Sequence, residues 1–335
     1  MRAKAYILAI SLATAAASGA QAQRVLGPMP SEAAPMRPAA PSAAAPAQNL
    51  APSPAAAPVR DPSCANPNAL GVGRVVEIDT TGGPAFGFEH FKMYDFLRPG
   101  EVVLTFDDGP WPTTPTVLKA LADECVKAIF FAVGFNAMSY PEILKQVAAG
   151  GHTVGSHTWT HQDLTKTRGS MPIGNGKREV RDYDPKEEIE KGMSAVKVAI
   201  GDSGQQSPFF RFPALRQPTE MMTYLASRNV AVFSTDFDSF DFKYRKPEQV
   251  VQSVMDKLKK HGKGIVLMHD VHSWTANAVK DILAQMKAGG FKVVQMKARE
   301  PLATLPEYDE VIIKQMNPAA ANARPMSSVI RTVGE

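Results

Sequence analysis

Short apolar runs rich in β-branched and aromatic residues recur from about residue 100 onward, and segments with helical periodicity separate most of them. Continuous apolar runs of this length are typical of strands buried on both faces of a parallel sheet. Seven runs fit: VVLTF (102–106), AIFFAV (128–133), HTVGS (152–156), PFFRF (208–212), VAVFST (230–235), GIVLM (264–268) and FKVVQM (291–296). Strands alternating with helices predict an α/β fold with a parallel sheet, and seven units favour a (β/α) barrel over an open sheet.

Helix start and stop signals support this alternation. Thr114 and Pro115 precede TVLKALADE, and Asp184 and Pro185 precede KEEIEKGMSAVKVAI. Proline is favoured in the first turn of a helix, and the small polar residue before it is a typical cap. Glycines in AAGG, AIG and KAGG then follow the apolar-periodic segments, which indicates helix ends.

The amino-terminal residues have a different character. Basic residues, the apolar stretch AYILAISLATAAA and the small residues AQA predict a secretory signal peptide cleaved after Ala22. Alanine and proline dominate the next stretch, which cannot build a core and predicts an extended tether. We therefore expect five parts: signal peptide 1–22, Ala/Pro-rich disordered linker 23–62, irregular lead-in 63–98, main α/β domain 99–298 and tail 299–335.

Composition narrows the function. The 335 residues are 44% hydrophobic, which is ample for a core, and the formal charge of +4 is scattered rather than concentrated in a basic run. This pattern argues against a nucleic-acid partner. Beyond the signal segment no window is apolar enough to predict a transmembrane span. The signal segment itself predicts an exported protein of the periplasm, the extracellular space or the cell envelope. The oligomeric state does not follow from the sequence.

The chain has two cysteines, Cys64 and Cys125. In an oxidising compartment they are candidates for a disulfide that ties the lead-in to the domain. The alternative is a pair of buried thiols.

Polar residues cluster after the predicted strands. Asp107 and Asp108 follow the first strand, His157 the third and His269 the sixth, and Arg211 lies near the end of the fourth. The acids Asp236, Asp238 and Asp241 follow the fifth strand. In a parallel barrel these ends share one face, where active sites are built.

The spacing of His157 and His161 lets two imidazoles converge. Such a pair is by itself more often a solvated helix face than a metal site. A carboxylate brought to the same rim by another strand favours the metal site over the solvated helix face. Two histidines and one aspartate are typical ligands of a catalytic divalent metal ion, and zinc is the expected metal. An isolated Asp-Asp pair is more simply an acidic turn.

Five ordered motifs, TFDDGP, SHTWTH, RFP, DFDSFDF and LMHD, resemble those of the polysaccharide deacetylase family, also called the NodB homology domain or carbohydrate esterase family four. The resemblance covers roughly residues 100–297. It implies a distorted (β/α)7 barrel, in agreement with the strand count. It also implies that Asp108, His157 and His161 hold the metal.

The resemblance further implies that Asp107 is the general base, kept ionised by Arg211. A free carboxylate beside a metal can take the proton of the attacking water, and the guanidinium fork can grip that carboxylate. The alternative interpretation is that Arg211 forms an ion pair with a purely structural role. His269 corresponds to the general acid that protonates the leaving amine, with Asp241 holding the imidazole in its charged form.

On the substrate side, Leu267 corresponds to a residue lining the acetyl pocket, and the backbone N–H of Ala214 to the oxyanion donor. Three departures from the family pattern bear on substrate choice. Ala214 replaces an aromatic residue, Phe242 replaces a tryptophan, and an insert at 166–185 follows the histidine motif. His272 is either a loop residue, the favoured reading, or a substrate contact.

The leading hypothesis is a metal-dependent hydrolase that removes N-acetyl groups from amino-sugar glycans such as peptidoglycan or chitin-like chains, releasing acetate. One alternative is an O-acetyl polysaccharide esterase, because the same attack cleaves esters. Another is a non-catalytic glycan-binding envelope protein on the same barrel.

Overall fold

The computed structural model of the protein describes residues 64–174 and 176–316. Its strands are β1 (Val72–Ile78), β2 (Ala85–Phe86), β3 (Glu101–Asp107), β4 (Ile129–Ala132), β5 (Thr153–Ser156), β6 (Arg168–Gly174), β7 (Lys177–Asp182), β8 (Gln206–Phe210), β9 (Ala231–Phe233), β10 (Phe237–Asp238), β11 (Gly264–His269) and β12 (Lys292–Ala298). Its helices are α1 (Thr114–Asp123), α2 (Gly134–Ser139), α3 (Pro141–Ala149), α4 (Pro185–Ile200), α5 (Thr219–Ser227), α6 (Pro247–His261), α7 (Ser273–Ala288) and α8 (Pro306–Met316). The predicted signal peptide 1–22, the linker 23–62 and the tail beyond residue 316 lie outside the described residues.

The predicted parallel α/β architecture is confirmed. The seven apolar runs are β3, β4, β5, β8, β9, β11 and β12, and each pairs in parallel within a ten-stranded sheet. All seven residues of β3 are buried, as are all four of β4 and β5. Burial on both faces is why these strands read as continuous apolar runs rather than as an alternation.

The strand pairings close into a ring. β3 pairs with β4, β4 with β5, β5 with β8, and β8 with β9. After a short break β10 continues from β9 and pairs with β11, which in turn pairs with β3 along its length. The break between β9 and β10 is one source of the distortion.

The seventh strand, β12, enters the ring only at one end. β11 occupies one edge of β3 from Val102 to Asp107. The other edge is shared, because Glu101 and Val102 pair with β12 while Thr105 to Asp107 pair with β4. β12 therefore closes the amino-terminal end of the barrel and leaves the carboxyl ends of the other strands open.

Apolar side chains fill the barrel interior, as in other parallel barrels. The interior cluster draws on β3, β4, β8, β9, β11 and β12 and on the lead-in: Ile78, Phe86, Leu97, Val103, Ile129, Phe131, Phe209, Ala231, Phe233, Ile265, Val294 and Met296. A larger cluster lies between the sheet and the helices. The packed interior excludes water beneath the polar rim.

The lead-in is more regular than predicted. It contributes β1, which pairs in parallel with β12, and β2, which pairs in parallel with β9. β1 is only partly buried, so its sequence VGRVVEI mixes polar and apolar residues and lacks the pattern of a core strand. Cys64 and Cys125 are joined by a disulfide, with Cα atoms 5.8 Å apart. Within the described ranges, no helix combines the length and apolar character needed to cross a bilayer.

The insert after the histidine motif forms the antiparallel hairpin β6–β7. The two ends of the hairpin lie side by side, since Tyr183 N–H donates to Thr167 O at 2.8 Å. At its end Asp184 accepts a hydrogen bond from Lys186 N–H and caps α4, as the sequence predicts. The tail, which had no assignment, begins with α8, which packs against α4.

Candidate active site

Asp108, His157 and His161 converge at the open end of the barrel. Asp108 Oδ1 lies 3.4 Å from His157 Nε2 and 3.2 Å from His161 Nε2. One ligand atom from each of the three residues lies within 4.8 Å of the others. Asp108 and the two histidines lie on separate segments of the sequence, and the fold brings them together.

The three side chains are arranged as ligands of a metal ion and not as hydrogen-bond partners of one another. Asp108 Oδ1 is buried and has no hydrogen-bond partner among the described residues. His157 Nδ1–H donates to Arg211 O at 2.6 Å, which leaves the Nε2 lone pair directed at the site. A buried carboxylate oxygen without a partner is costly. Two imidazole nitrogens and this oxygen form a donor set suited to a divalent cation.

Asp107 is held on the other face of the strand end. Its Oδ1 accepts from Arg211 Nη1 at 2.7 Å, and its Oδ2 lies 3.9 Å from His157 Nε2, on the side of the metal ligands. Arg211 is fully buried. Its other bonds go to Thr105 Oγ1 at 2.7 Å and Ser234 O at 2.8 Å, and it stacks on the ring of Phe131. Arg211 thus fixes one carboxylate oxygen and leaves the other facing the site.

His269 is held by a second carboxylate. His269 Nδ1–H donates to Asp241 Oδ1 at 2.7 Å, and the backbone N–H of His269 donates to Asp241 Oδ2 at the same distance. Thr275 Oγ1 also donates to Oδ2, at 2.8 Å. With Nδ1 occupied, Nε2 is the nitrogen left to donate to a substrate.

The parallel register places His269 directly opposite Asp107. Neighbouring strands are about 4.8 Å apart. The predicted acid and the predicted base therefore lie at the ends of adjacent strands.

Three titratable groups of the site, His269, Asp108 and Asp241, have shifted pKa values. Burial disfavours the charged imidazole, but the hydrogen bond to Asp241 and the negative charge of Asp108 outweigh it and raise the pKa of His269 to about 10. Burial raises the pKa of Asp108, yet the neighbouring His161 and His157 hold that pKa well below its ordinary value. Likewise the pKa of Asp241 stays below normal, because the contact with His269 overcomes burial.

Several site residues adopt a left-handed backbone conformation that non-glycine residues rarely take. Asp108 has φ 74°, Thr158 φ 68°, His161 φ 59° and Ala214 φ 52°. Such residues cost about 1 to 3 kcal/mol each and persist where surrounding contacts enforce them. The contacts around the histidine loop do this.

The histidine loop is held by Glu188 of α4, which the sequence did not identify. Glu188 Oε2 accepts from Thr160 N–H at 2.8 Å, Glu188 Oε1 accepts from Thr160 Oγ1 at 2.8 Å, and the Glu188 carbonyl accepts from Trp159 N–H. Gly192, one turn later, packs on the loop so closely that a Cβ would lie 2.4 Å from the Thr158 carbonyl carbon. The signal was available only weakly, as an acid on the apolar face of a predicted helix.

Asp270 was also missed. It directly follows His269, is fully buried, and accepts from Thr114 Oγ1 at 2.5 Å. Burial raises its pKa to about 7. Its other oxygen, Oδ1, has no hydrogen-bond partner in the described part of the chain. Asp270 links the strand end of His269 to the start of α1.

The residues predicted to contact substrate differ in their exposure to solvent. Leu267 is buried on β11, opposite Thr105, and Ala214 is exposed beside the buried Pro213. Phe242 is 43% exposed and its ring lies edge-on to that of His269, at 5.8 Å between ring centroids. His272 stacks on Trp274 at 4.7 Å and also lines the groove above the metal ligands.

One rim prediction is wrong. Asp236 accepts hydrogen bonds from Phe88 N–H and Ile265 N–H, at the start of β11 rather than at the end that carries His269. The break between β9 and β10 turns this residue toward the neighbouring strand. Asp238 lies on the short β10, and only Asp241 of the three acids contacts His269.

Comparison with known proteins agrees with this geometry. Residues 97–233 match the family model described as polysaccharide deacetylase. The peptidoglycan-N-acetylglucosamine deacetylase PgdA of Listeria monocytogenes is 30% identical over 196 residues, which are 58% of this chain and 37% of the relative. A chitin deacetylase of Colletotrichum lindemuthianum is 28% identical over 210 residues, 59% of this chain and 78% of the relative.

Among solved structures, the peptidoglycan deacetylase Bd3279 of Bdellovibrio bacteriovorus superposes with a TM-score of 0.57 at 28% identity, covering 68% of this chain and 59% of that one. The chain spans little more than a third of the length of the Listeria relative. The family match ends at residue 233, so Asp241 and His269 lie beyond it. Their place in the site rests on the hydrogen bonds and the register given above.

Proposed function

We propose that this protein, whose residues 97–233 belong to the polysaccharide deacetylase family, hydrolyses N-acetyl groups on an amino-sugar glycan and releases acetate. One observation carries the proposal: a carboxylate gripped by a buried arginine and an imidazole gripped by a buried carboxylate stand opposite each other in register, beside three convergent metal ligands.

Asp108, His157 and His161 would hold the divalent ion, and two imidazoles with one carboxylate make zinc the expected metal. When bound, such an ion polarises the amide carbonyl and lowers the pKa of water at the site. The Nδ1–H tautomer of His157 suits this role, since its Nδ1–H is committed to Arg211 O and its Nε2 lone pair is left for the ion.

Asp107 would remove the proton from the attacking water. Its Oδ1 is occupied by Arg211, so Oδ2, which lies toward the metal ligands, is the accepting atom. The charge-assisted hydrogen bond from Arg211 orients the carboxylate so that this second oxygen is held toward the site. As the water oxygen bonds to the carbonyl carbon, its proton passes to Asp107.

His269 would donate a proton to the amide nitrogen as the carbon–nitrogen bond breaks. An amine is a poor leaving group unless it is protonated, and the contact with Asp241 keeps the imidazole protonated at neutral pH. The products are acetate and a glycan with a free amino group. Ala214 N–H remains the proposed donor to the developing oxyanion, and Leu267 and Phe242 the proposed contacts of the acetyl group.

The substrate class is proposed from the relatives, which are named for peptidoglycan N-acetylglucosamine and for chitin. Export to the periplasm, the extracellular space or the cell envelope is proposed from the sequence of residues 1–22, and it would give the enzyme access to such glycans.

The test is a panel of glycans assayed for free acetate, with the protein stripped by chelator and then supplied with zinc. We expect acetate from N-acetylated oligomers only after metal is restored. Release from O-acetylated xylan alone would instead establish the esterase alternative. A protein that binds N-acetylated oligomers but releases no acetate with zinc, Mn²⁺ or Co²⁺ would establish the glycan-binding alternative.

A further inference from the structure

The β6–β7 hairpin is attached to the histidine loop. Gln162, the residue after His161, donates through Nε2 to Ser170 O at 2.9 Å and to Thr160 O at 3.1 Å. Gly169 packs so closely that a Cβ would lie 2.1 Å from Gln162 Oε1. Tyr183 OH donates to Asp163 O at 2.7 Å from the other end of the hairpin. The hairpin is therefore fixed relative to a metal ligand.

The hairpin lines a groove above the predicted metal site. The groove has a volume of about 760 Å³ and includes Asp108 and His161 in its lining. Trp111 and Tyr140, whose rings meet edge-on at 5.3 Å, supply aromatic surface. The hairpin adds Pro172, Lys177 and Arg178. A sugar chain that places its acetamido group at the metal site must pass these side chains.

The charges of the hairpin are divided between groove and solvent. Arg181 pairs with Glu179 at 2.7 Å, and Arg168 pairs with Asp182 at 3.4 Å. Among the described residues, neither of the groove cations, Lys177 and Arg178, forms an ion pair. Arg178 donates instead to Ser170, through Nε to Oγ at 3.1 Å and through Nη2 to the carbonyl oxygen.

The rest of the lining does not neutralise these cations. Asp108 is the only carboxylate that the described residues contribute to the groove, and it is already assigned to the metal. Two uncompensated positive charges beside an aromatic surface favour a ligand that is a sugar and also an anion. A neutral glycan would leave both charges unused.

We propose that Lys177 and Arg178 bind a carboxylate carried by the glycan, so that the substrate is an acidic N-acetylated glycan rather than a neutral one. This proposal rests on the proposed deacetylase function. The carboxylate could belong to a lactyl ether on alternate sugars, as in a peptidoglycan glycan strand without attached peptide, or to a uronic acid. Both supply anionic oxygens that accept charge-assisted hydrogen bonds from the ammonium group of Lys177 and the guanidinium group of Arg178.

The experiment compares three oligomers of equal length with the zinc-loaded protein: neutral N-acetylglucosamine, a peptide-free strand with lactyl ethers, and a copolymer with uronic acid. The readout is the ratio of kcat/KM between each acidic oligomer and the neutral one. We expect the ratio to exceed one for at least one acidic oligomer. The oligomer with the higher ratio identifies the source of the carboxylate.

In the double variant Lys177→Gln/Arg178→Gln the ratio should fall about tenfold, since two exposed charge contacts contribute together roughly 1.4 kcal/mol. The matched control is Arg168→Gln/Arg181→Gln, which removes the same two charges from the same hairpin but outside the groove. The control should change the ratio less than twofold. Raising the salt concentration should reduce the wild-type preference in parallel.

A binding measurement separates this proposal from the proposed function. The zinc-loaded Asp107→Asn protein is titrated with the same three oligomers in a calorimeter. Carboxylate recognition is supported if an acidic oligomer binds more tightly than the neutral one and if this preference is lost when Lys177→Gln and Arg178→Gln (the groove variant) are added. This holds even if wild-type protein releases no acetate. Equal binding of acidic and neutral oligomers, or equal loss in the groove variant and its control, overturns carboxylate recognition and leaves the deacetylase proposal standing.

Discussion

The two ends of the catalytic rim use the same kind of pair in opposite ways. At Asp107 the carboxylate faces the site and the cation, Arg211, holds it; at His269 the cation faces the site and the carboxylate, Asp241, holds it. In both pairs the holding partner has 0% exposed side chain. The difference teaches that the role of a charged group depends on which partner reaches the groove, and not on the pair alone.

The largest loss of activity should come from replacing Asp107, the member of the Asp107–Arg211 pair that faces the site. Asp107→Asn keeps an oxygen for Arg211 but removes the proton acceptor, so kcat should fall by about 10²- to 10⁴-fold. Zinc content, measured by metal analysis of the dialysed protein, should remain near wild type because the three ligands are unchanged. By contrast, His161→Ala should lose both activity and metal. Near-normal turnover of Asp107→Asn would show that the general base lies elsewhere.

The second prediction replaces Asp241, the buried carboxylate that holds His269. In Asp241→Asn the strongest contribution to the charged imidazole is lost, so the pKa of His269 should fall from about 10 toward its ordinary value. In the proposed mechanism His269 acts in its protonated form, so the activity that is lost as pH rises should be lost at a lower pH in the variant. We expect kcat at neutral pH to fall about 100-fold. A pH profile of kcat/KM with an unmoved basic limb would contradict the assignment of Asp241.

Glu188 extends the comparison to a residue that holds a backbone loop instead of a charge. Glu188→Gln removes the negative charge from the acceptor of both bonds to Thr160, so the two bonds lose their charge-assisted strength. We expect zinc affinity, measured by competition with a chelating dye, to fall about tenfold. The matched control is Glu187→Gln, an exposed acid in the same first turn of α4. Equal affinities of the two variants would show that Glu188 only stabilises the fold.

Asp270 offers the smallest effect and a contrast to both pairs, since it forms no ion pair among the described residues. Its folded-state pKa of about 7 lies above the ordinary value of 3.8. Between these pH values the folded state binds more protons than the unfolded state, so this carboxyl stabilises the fold fully below about pH 4 and loses that contribution as pH rises through 7.

Asp270→Asn should therefore weaken the decline of Tm between pH 4 and pH 8, by a few degrees at pH 8. The amide can still accept from Thr114, so the fold should be retained. Asp281→Asn, at an exposed position of α7, serves as the control. Parallel Tm–pH curves for wild type and Asp270→Asn would mean that the carboxyl is already ionised in the folded protein.

The sequence predicted the strands and much of the rim because both leave local signals. A strand buried on both faces, such as β3, is a continuous apolar run, and polar residues that end it are conspicuous. The pairing of β10 with β11 and the shared edge of β3 depend on contacts between distant segments, so they carry no local pattern.

The missed residues have a related cause. Glu188 and Asp270 are buried acids whose partners are a loop backbone and a distant hydroxyl, and a sequence does not show which acids are buried. The hairpin was visible only as a polar insert, because every residue of β7 is exposed and no apolar alternation marks it. Asp236 was misplaced for the opposite reason, as it follows an apparent strand that breaks before reaching the rim.

The β6–β7 hairpin leaves and rejoins the barrel at neighbouring positions, which makes it an exchangeable segment. Its two ends meet where Tyr183 N–H bonds to Thr167 O, so deleting or exchanging the segment between them requires no change in the path of the barrel. The proposed base and acid, Asp107 and His269, lie at strand ends of the barrel, whereas the charges proposed to select the glycan lie on the hairpin. Grafting a hairpin of different charge at this position is therefore a route to new substrate selectivity with the chemistry left in place.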